Sequence, residues 1–344
     1  MLTWAALLAA VASLWLAGVS LPGLFADRAA VVGLGSDIPL GQRPLGPSVV
    51  GILPPVLSAG VLVALAAAVG LIAAVRLAGR ALPLGSGAAL LALGATIATV
   101  IPDIRVLSLV GYLPVIVTDL ITGRVRPVLA ETLGQPALWL MVSAFVVGIG
   151  LMVVGVRILA RSAPGPERMR RLGNLAVAVA TAAGMSYPVT RIAWFLGVPL
   201  GISPDFHAAN AAIFGSGLVL AGMALAGVLA TTGLQQRWGT SLPGWLPWLG
   251  GRPIPRLVPT LIGMGAGFVL IAGGISVIPL IAAGLPLGPP GSEEHLGTWV
   301  PLAVLPLWGL AVVAASVSYY LRRIGEDARR RTGAVDQGDP DRGR

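Results

Sequence analysis

Residues 257–283, LVPTLIGMGAGFVLIAGGISVIPLIAA, contain no Asp, Glu, Lys, Arg or His. About 20 consecutive apolar residues are enough to cross the hydrocarbon core of a bilayer as a helix. This run therefore reads as a transmembrane span, and it is not alone. Soluble domains carry about 25% charged residues. Here 11% are charged, 56% are hydrophobic, and the mean hydropathy is +0.88. A soluble chain this apolar has too few polar groups to cover its surface. The composition predicts an all-α, polytopic bundle of transmembrane helices.

Eight spans are expected, at about 2–20, 50–75, 86–102, 137–159, 172–190, 208–234, 257–283 and 298–321. The first opens MLTWAALLAA, without a positive n-region, and no clear small-x-small cleavage site stands before Asp27. It is expected to be a retained helix. The spans pair as four outward hairpins. Loops on one side hold 17 of the 23 basic residues, all of them arginine. The arginine excess marks that side as cytoplasmic, so both termini are expected there. The tail 322–344 is basic, with ARRR at 328–331, and is expected to be disordered. Its charge fits lipid headgroups better than nucleic acid.

Several chemistries are excluded. There is no cysteine, hence no disulfide and no thiolate. There is no lysine for a Schiff base or a phosphate loop. No acidic residue falls in the middle of a predicted span, which argues against a pump driven by a central carboxylate. Gly-rich runs such as GLVLAG (217–222) and GMGAGFVLIAGG (263–274) read as helix-packing surfaces. No cofactor is expected.

Residues 103–136 form the longest outer loop. Its apolar piece, Val106 to Val117, is too short to span and suits an interfacial or re-entrant segment. PDIRVLSLVG (102–111) and PVTRIAWFLG (188–197) share Pro, Arg and Gly at equal spacing, a weak internal repeat. Through it Arg105 and Arg191 become twins at the outer ends of spans. Guanidinium suits carboxylate or phosphate. Tyr112, Tyr187 and Trp194 are candidate pocket walls, and Asp103 or Asp205 a candidate partner. Snorkelling to the headgroups is the plainer alternative. A second constellation is Asp205 and His207 with Glu293, Glu294 and His295, each group six or seven residues beyond a Pro-Leu-Gly. Such residues suit a divalent metal, or equally a pH-sensitive cluster. Alternatively, Ser203 and Ser292 cap helices whose first turns carry the acids.

The inner loop QRWGTSLPGWLPWLGGRPIPR (236–256) holds Trp238, Trp245 and Trp248 among prolines. It is expected to lie on the inner surface, with its arginines toward phosphates. Trp139, Trp194 and Trp299 are expected at the outer interface. The pattern Trp238–Gly239, Pro243 to Pro247 and Gly251 to Arg256 resembles that of polytopic membrane proteins of actinobacteria with no assigned activity. The resemblance implies a bacterial plasma membrane and assigns no residue a role. The functional expectation is an integral membrane protein with a polar arginine site near its outer face. Its ligand is a small molecule or a lipid. The alternatives are a permease for a small anionic solute and an enzyme acting on precursor phosphates at the outer leaflet.

Overall fold

In an apolar medium a helix satisfies every backbone N–H and C=O within its own segment, so long apolar runs fold as helices. A computed structural model of the chain describes residues 65, 68–70, 86–123, 136–160, 165–241, 244 and 250–337. Its helices are α1 Ser86–Val100, α2 Ile104–Gly111, α3 Leu113–Thr122, α4 Pro136–Leu159 and α5 Pro166–Phe195. There follow α6 Pro204–Asn210, α7 Phe214–Gly233, α8 Leu257–Ala282, α9 Leu296–Ala303 and α10 Leu305–Gln337. Among the described residues there is no strand, only an isolated bridge between Ser241 and Pro253.

Four stretches are long and apolar enough to cross a membrane: Met141–Leu159 in α4, all of α5, all of α8, and Leu296–Arg329 through α9 and α10. Two bent pairs raise the number to six: α1 with α2 at 81°, and Pro204–Ile213 with Gly217–Gly233 at 91°. The expected eight thus become four to six among the described residues. Span 2–20 and most of 50–75 lie outside them.

The expected boundaries change for identifiable reasons. Pro102 ends α1, and Asp103 starts α2 by accepting from the Arg105 backbone N–H at 2.8 Å. The apolar piece 106–117 is accordingly two short helices, α2 and α3. α5 begins earlier than expected, with Pro166 at its first position and Glu167 in its first turn. It also runs on to Phe195, with Pro188 inside. Beside that proline the hydroxyls of Ser186 and Thr190 donate to the carbonyls of Ala183 (2.7 Å) and Tyr187 (2.8 Å). Arg191 therefore lies within the helix, not beyond it. Ile192 to Phe195 are the last turn of α5. At the other end of the chain α10 continues to Gln337, so residues 322–337 of the expected disordered tail are helical. An Arg322–Glu326 pair (3.6 Å) and an Arg256–Asp327 pair (2.9 Å) support that extension. Residues 338–344 lie outside the described ones.

Backbone contact at glycine brings the helices together. A Cβ on Gly94 of α1 would lie 2.5 Å from the Gly148 carbonyl oxygen of α4, and one on Gly148 would lie 2.7 Å from that of Gly94. Gly267 of α8 and Gly309 of α10 oppose each other in the same reciprocal way. α5 lies between α7 and α10. Trp308 of α10 fills the middle of that group, its indole against Gly184 and Gly227. At the far end Tyr319 is fully buried and donates to the Gly239 carbonyl at 3.0 Å. Arg322 donates to the Leu234 carbonyl at 2.9 Å. The loop after α7 is thereby fastened to α10. Arg256 of that loop pairs with Asp327, where a phosphate contact was expected. Trp245 and Trp248 lie outside the described residues.

Gly309→Ala places a methyl group against the Gly267 carbonyl. It should lower stability by about 1–3 kcal/mol in a detergent unfolding titration. Gly222, whose added Cβ would meet nothing within 4 Å, should tolerate alanine within about 0.5 kcal/mol. Equal losses for both would exclude the close-contact account.

Candidate functional site

Positions 187, 191 and 194 fall at i, i+4 and i+7 of α5, so their side chains share one face of its last two turns. The Arg191 guanidinium carbon lies 4.6 Å from the Tyr187 ring centroid and 4.2 Å from that of Trp194. Both rings attract the cation through their π faces. The stem of Arg191 rests on Gly217 of α7, where an added Cβ would lie 3.5 Å from Cδ. Its Nη1 is 3.5 Å from the Gly297 carbonyl, a long contact. No carboxylate among the described residues pairs with Arg191.

Two glycines after α5 set this geometry. Gly197 (φ 85°) and Gly201 (φ 73°) take the left-handed conformation that other residues avoid. The chain folds back over its own helix end. The Leu200 carbonyl then accepts the Trp194 indole N–H at 2.8 Å. The Gly201 carbonyl accepts the Gly297 N–H at 2.8 Å, which docks the start of α9. Trp194 is only 5% exposed. It is a wall of the site, and the expected interfacial anchor role does not hold for it.

A cavity of about 290 Å³ opens at this place. Tyr187, Arg191 and Trp194 line it from α5, with Phe206 from α6 and Phe214, Gly217 and Leu220 from α7. Tyr112, Ile213, Leu287, Gly288, Pro289, Ser292 and Thr298 complete the wall. Arg191 is the only charged residue among these. Ser292 is 1% exposed, and its hydroxyl has no partner among the described residues. Its carbonyl accepts the Thr298 hydroxyl, which also reaches the His295 carbonyl. The Tyr112 phenol also borders the cavity. Its O–H can donate a hydrogen bond.

Of the residues expected at an anion site, Tyr112, Tyr187, Arg191 and Trp194 meet in one cavity. Asp103 and Arg105 do not line it. They pair with each other: Arg105 Nε lies 3.1 and 2.9 Å from the two Asp103 oxygens, and Nη2 lies 2.7 Å from Oδ2. Asp103 is 2% exposed. The two windows of the proposed repeat also differ in conformation. Pro102 stands at a bend, whereas Pro188 is inside a continuous helix.

The metal constellation is not assembled. Among the described residues no group of three or more His, Asp or Glu side chains could hold a metal. His207 Nε2 lies 2.8 Å from the Trp194 carbonyl, so that nitrogen carries a proton and donates. The His295 ring packs edge-on against Phe206 at 4.5 Å. Asp205 is exposed in the first turn of α6, which Ser203 caps by accepting from the Phe206 N–H at 3.2 Å. Glu294 is exposed, and one Glu293 oxygen is buried with no partner among the described residues. Ser292 does not cap; Gly291 (φ 88°) holds that position. Sequence reasoning missed Ser292, Thr298 and Gly217 as site residues. Gly217 belonged to a run read as helix packing.

Profiles of known families, curated proteins and solved structures all fail to match the chain.

Asp103→Ala removes a helix cap and a charged hydrogen-bond partner, so about 2–4 kcal/mol of stability should be lost. Arg191→Gln removes no carboxylate pairing and should cost about 1 kcal/mol. Chemical unfolding of the two variants checks the order. A larger loss for Arg191→Gln would mean that Arg191 is structural.

Proposed function

We propose that this chain is an integral membrane protein that binds an anionic group in the Arg191 cavity, at the outer face of a bacterial plasma membrane. One observation carries the reading. A guanidinium held between two aromatic rings faces an open cavity and has no carboxylate partner among the described residues. A structural arginine in an apolar setting normally finds a counter-charge. A site that awaits an anion leaves it free, and guanidinium presents a planar fork suited to carboxylate or phosphate.

The alternatives fit less well. An enzyme needs a base near the bound group, and no carboxylate or imidazole is among the cavity-lining residues. A permease needs a path through the bundle. Here Trp308 fills the α5–α7–α10 group at mid-height, and Tyr319 closes it at the far end. Transport by this route would require both to move. The far end also carries Arg168, Arg170, Arg171, Arg256, Arg322 and Arg323, which supports its being cytoplasmic.

Two experiments test this. The chain has no cysteine, so single introduced cysteines report topology cleanly. Leu200→Cys should react with an impermeant maleimide from outside intact cells, and Arg252→Cys only after permeabilisation. The reverse pattern would place the cavity inside. For binding, purified protein is melted with acetate, inorganic phosphate, glycerol phosphate or an anionic phospholipid. At least one should raise the melting temperature saturably, and Arg191→Gln should abolish that rise. Stabilisation that survives the substitution for every anion would refute the reading.

A further inference from the structure

The depth and the walls of the cavity narrow the class of ligand. Helix α7 has 20 residues, about 30 Å at 1.5 Å per residue. That equals the roughly 30 Å thickness of a hydrocarbon core. After the bend the straight part of α7 is Gly217–Gly233, which is shorter than that core, so as a span it has nothing to spare. Gly217, at its top, then lies at the edge of the core, and Leu220 lies within it. The stem of Arg191 packs on Gly217, so the cavity descends to the same level. The segment Pro204–Ile213, which contains α6, turns away from Gly217–Gly233 by 91°.

The rim points the same way. Tyr112 is 42% exposed and Ile213 is 47% exposed. Beyond Tyr112 the exposed surface continues through Val110, Leu113 and Val117, with no charge on α2 or α3 between Arg105 and Asp119. On this side the rim is apolar and suits an acyl chain. Inside, polarity is confined to a few groups: the Arg191 guanidinium, the Tyr112 and Tyr187 phenols, and the hydroxyls of Ser292 and Thr298. Thr298 is already bonded, whereas the buried Ser292 hydroxyl lacks a partner among the described residues. An unmatched buried hydroxyl is costly, and a ligand oxygen would relieve it.

We infer that the occupant is an anionic phospholipid, with its phosphate between the Arg191 guanidinium and the Ser292 hydroxyl and an acyl chain leaving the cavity past Tyr112 and Ile213. This rests on the anion reading above and adds the amphiphile. A free anion must come down from water to a partly apolar mouth. A lipid arrives from the side, where its local concentration is already high.

Protein in a neutral maltoside detergent is titrated with dioleoylphosphatidylglycerol, dioleoylphosphatidylcholine and glycerol phosphate, and melting is followed. Phosphatidylglycerol should saturate at a total concentration at least tenfold below glycerol phosphate, and phosphatidylcholine should give no saturable shift. Arg191→Gln should weaken phosphatidylglycerol at least tenfold. Ser292→Ala should weaken it severalfold while leaving the ligand-free protein as stable as before or more so, which keeps the test sound if Arg191→Gln folds poorly. Equal saturation by glycerol phosphate and phosphatidylglycerol, both lost in Arg191→Gln, would overturn the lipid inference and leave the anion reading standing. A phosphatidylglycerol shift that Arg191→Gln does not change would overturn both. A lipid shift untouched by Ser292→Ala, or matched by phosphatidylcholine, would overturn the inference as drawn.

Discussion

Lipid is as apolar as leucine, so the hydrophobic effect does little to hold one membrane helix against another. The bundle depends on close backbone approach at glycine. Gly94 meets Gly148, Gly87 meets Gly155, and Gly267 meets Gly309, each with a carbonyl where a side chain would otherwise stand. These contacts let long stretches of α1 and α4, and of α8 and α10, lie in mutual van der Waals range. Larger side chains interlock around them, with Ile97, Met141, Met152 and Met264 among the most buried. Where a gap is wider, a large ring fills it: Trp308 lies over Gly184, and Tyr319 is sealed in by the loop after α7.

The cavity is a product of the same packing. Gly217 gives α7 a flat patch, and the long stem of Arg191 lies along it. The chain after α5 must double back, and it does so at two left-handed glycines. That fold brings the Leu200 carbonyl to Trp194 and the Gly201 carbonyl to Gly297. The indole is thereby immobilised, and one side of the guanidinium with it. His207 then takes the Trp194 carbonyl, which ties α6 to the end of α5. Each of these bonds satisfies a polar group that water would otherwise have to reach. The group left over is the Arg191 charge, with Ser292 near it in the wall.

Much of this could be read from residue order, and the failures have physical causes. The apolar runs were legible because length and absence of charge suffice to mark them. The bend at Pro102–Asp103 and the cap at Ser203 follow from local chemistry that tertiary contacts do not override. The end of α5 was not legible. Pro188 and Arg191 look like a terminus, but a proline removes only one helical hydrogen bond, and in an apolar setting the remaining backbone groups are best satisfied by continuing the helix. The equivalence of Arg105 and Arg191 failed over a single position. Asp103 stands two residues before one arginine and Val189 before the other, so one is neutralised locally and the other is not. Ser292 was misread because the order Ser-Glu-Glu is the same for a cap and for a buried hydroxyl. The left-handed Gly291 decides between them, and only the fold fixes its conformation.

The central claim is that the Arg191 charge is completed by a bound anion. Native mass spectrometry of the protein extracted gently from its own membrane tests this most directly. The wild-type chain should carry one tightly held, phosphorus-containing adduct that survives mild activation, and Arg191→Gln should lack it while keeping its looser lipids. An adduct retained equally by both, or no specific adduct on the wild type, would contradict the account.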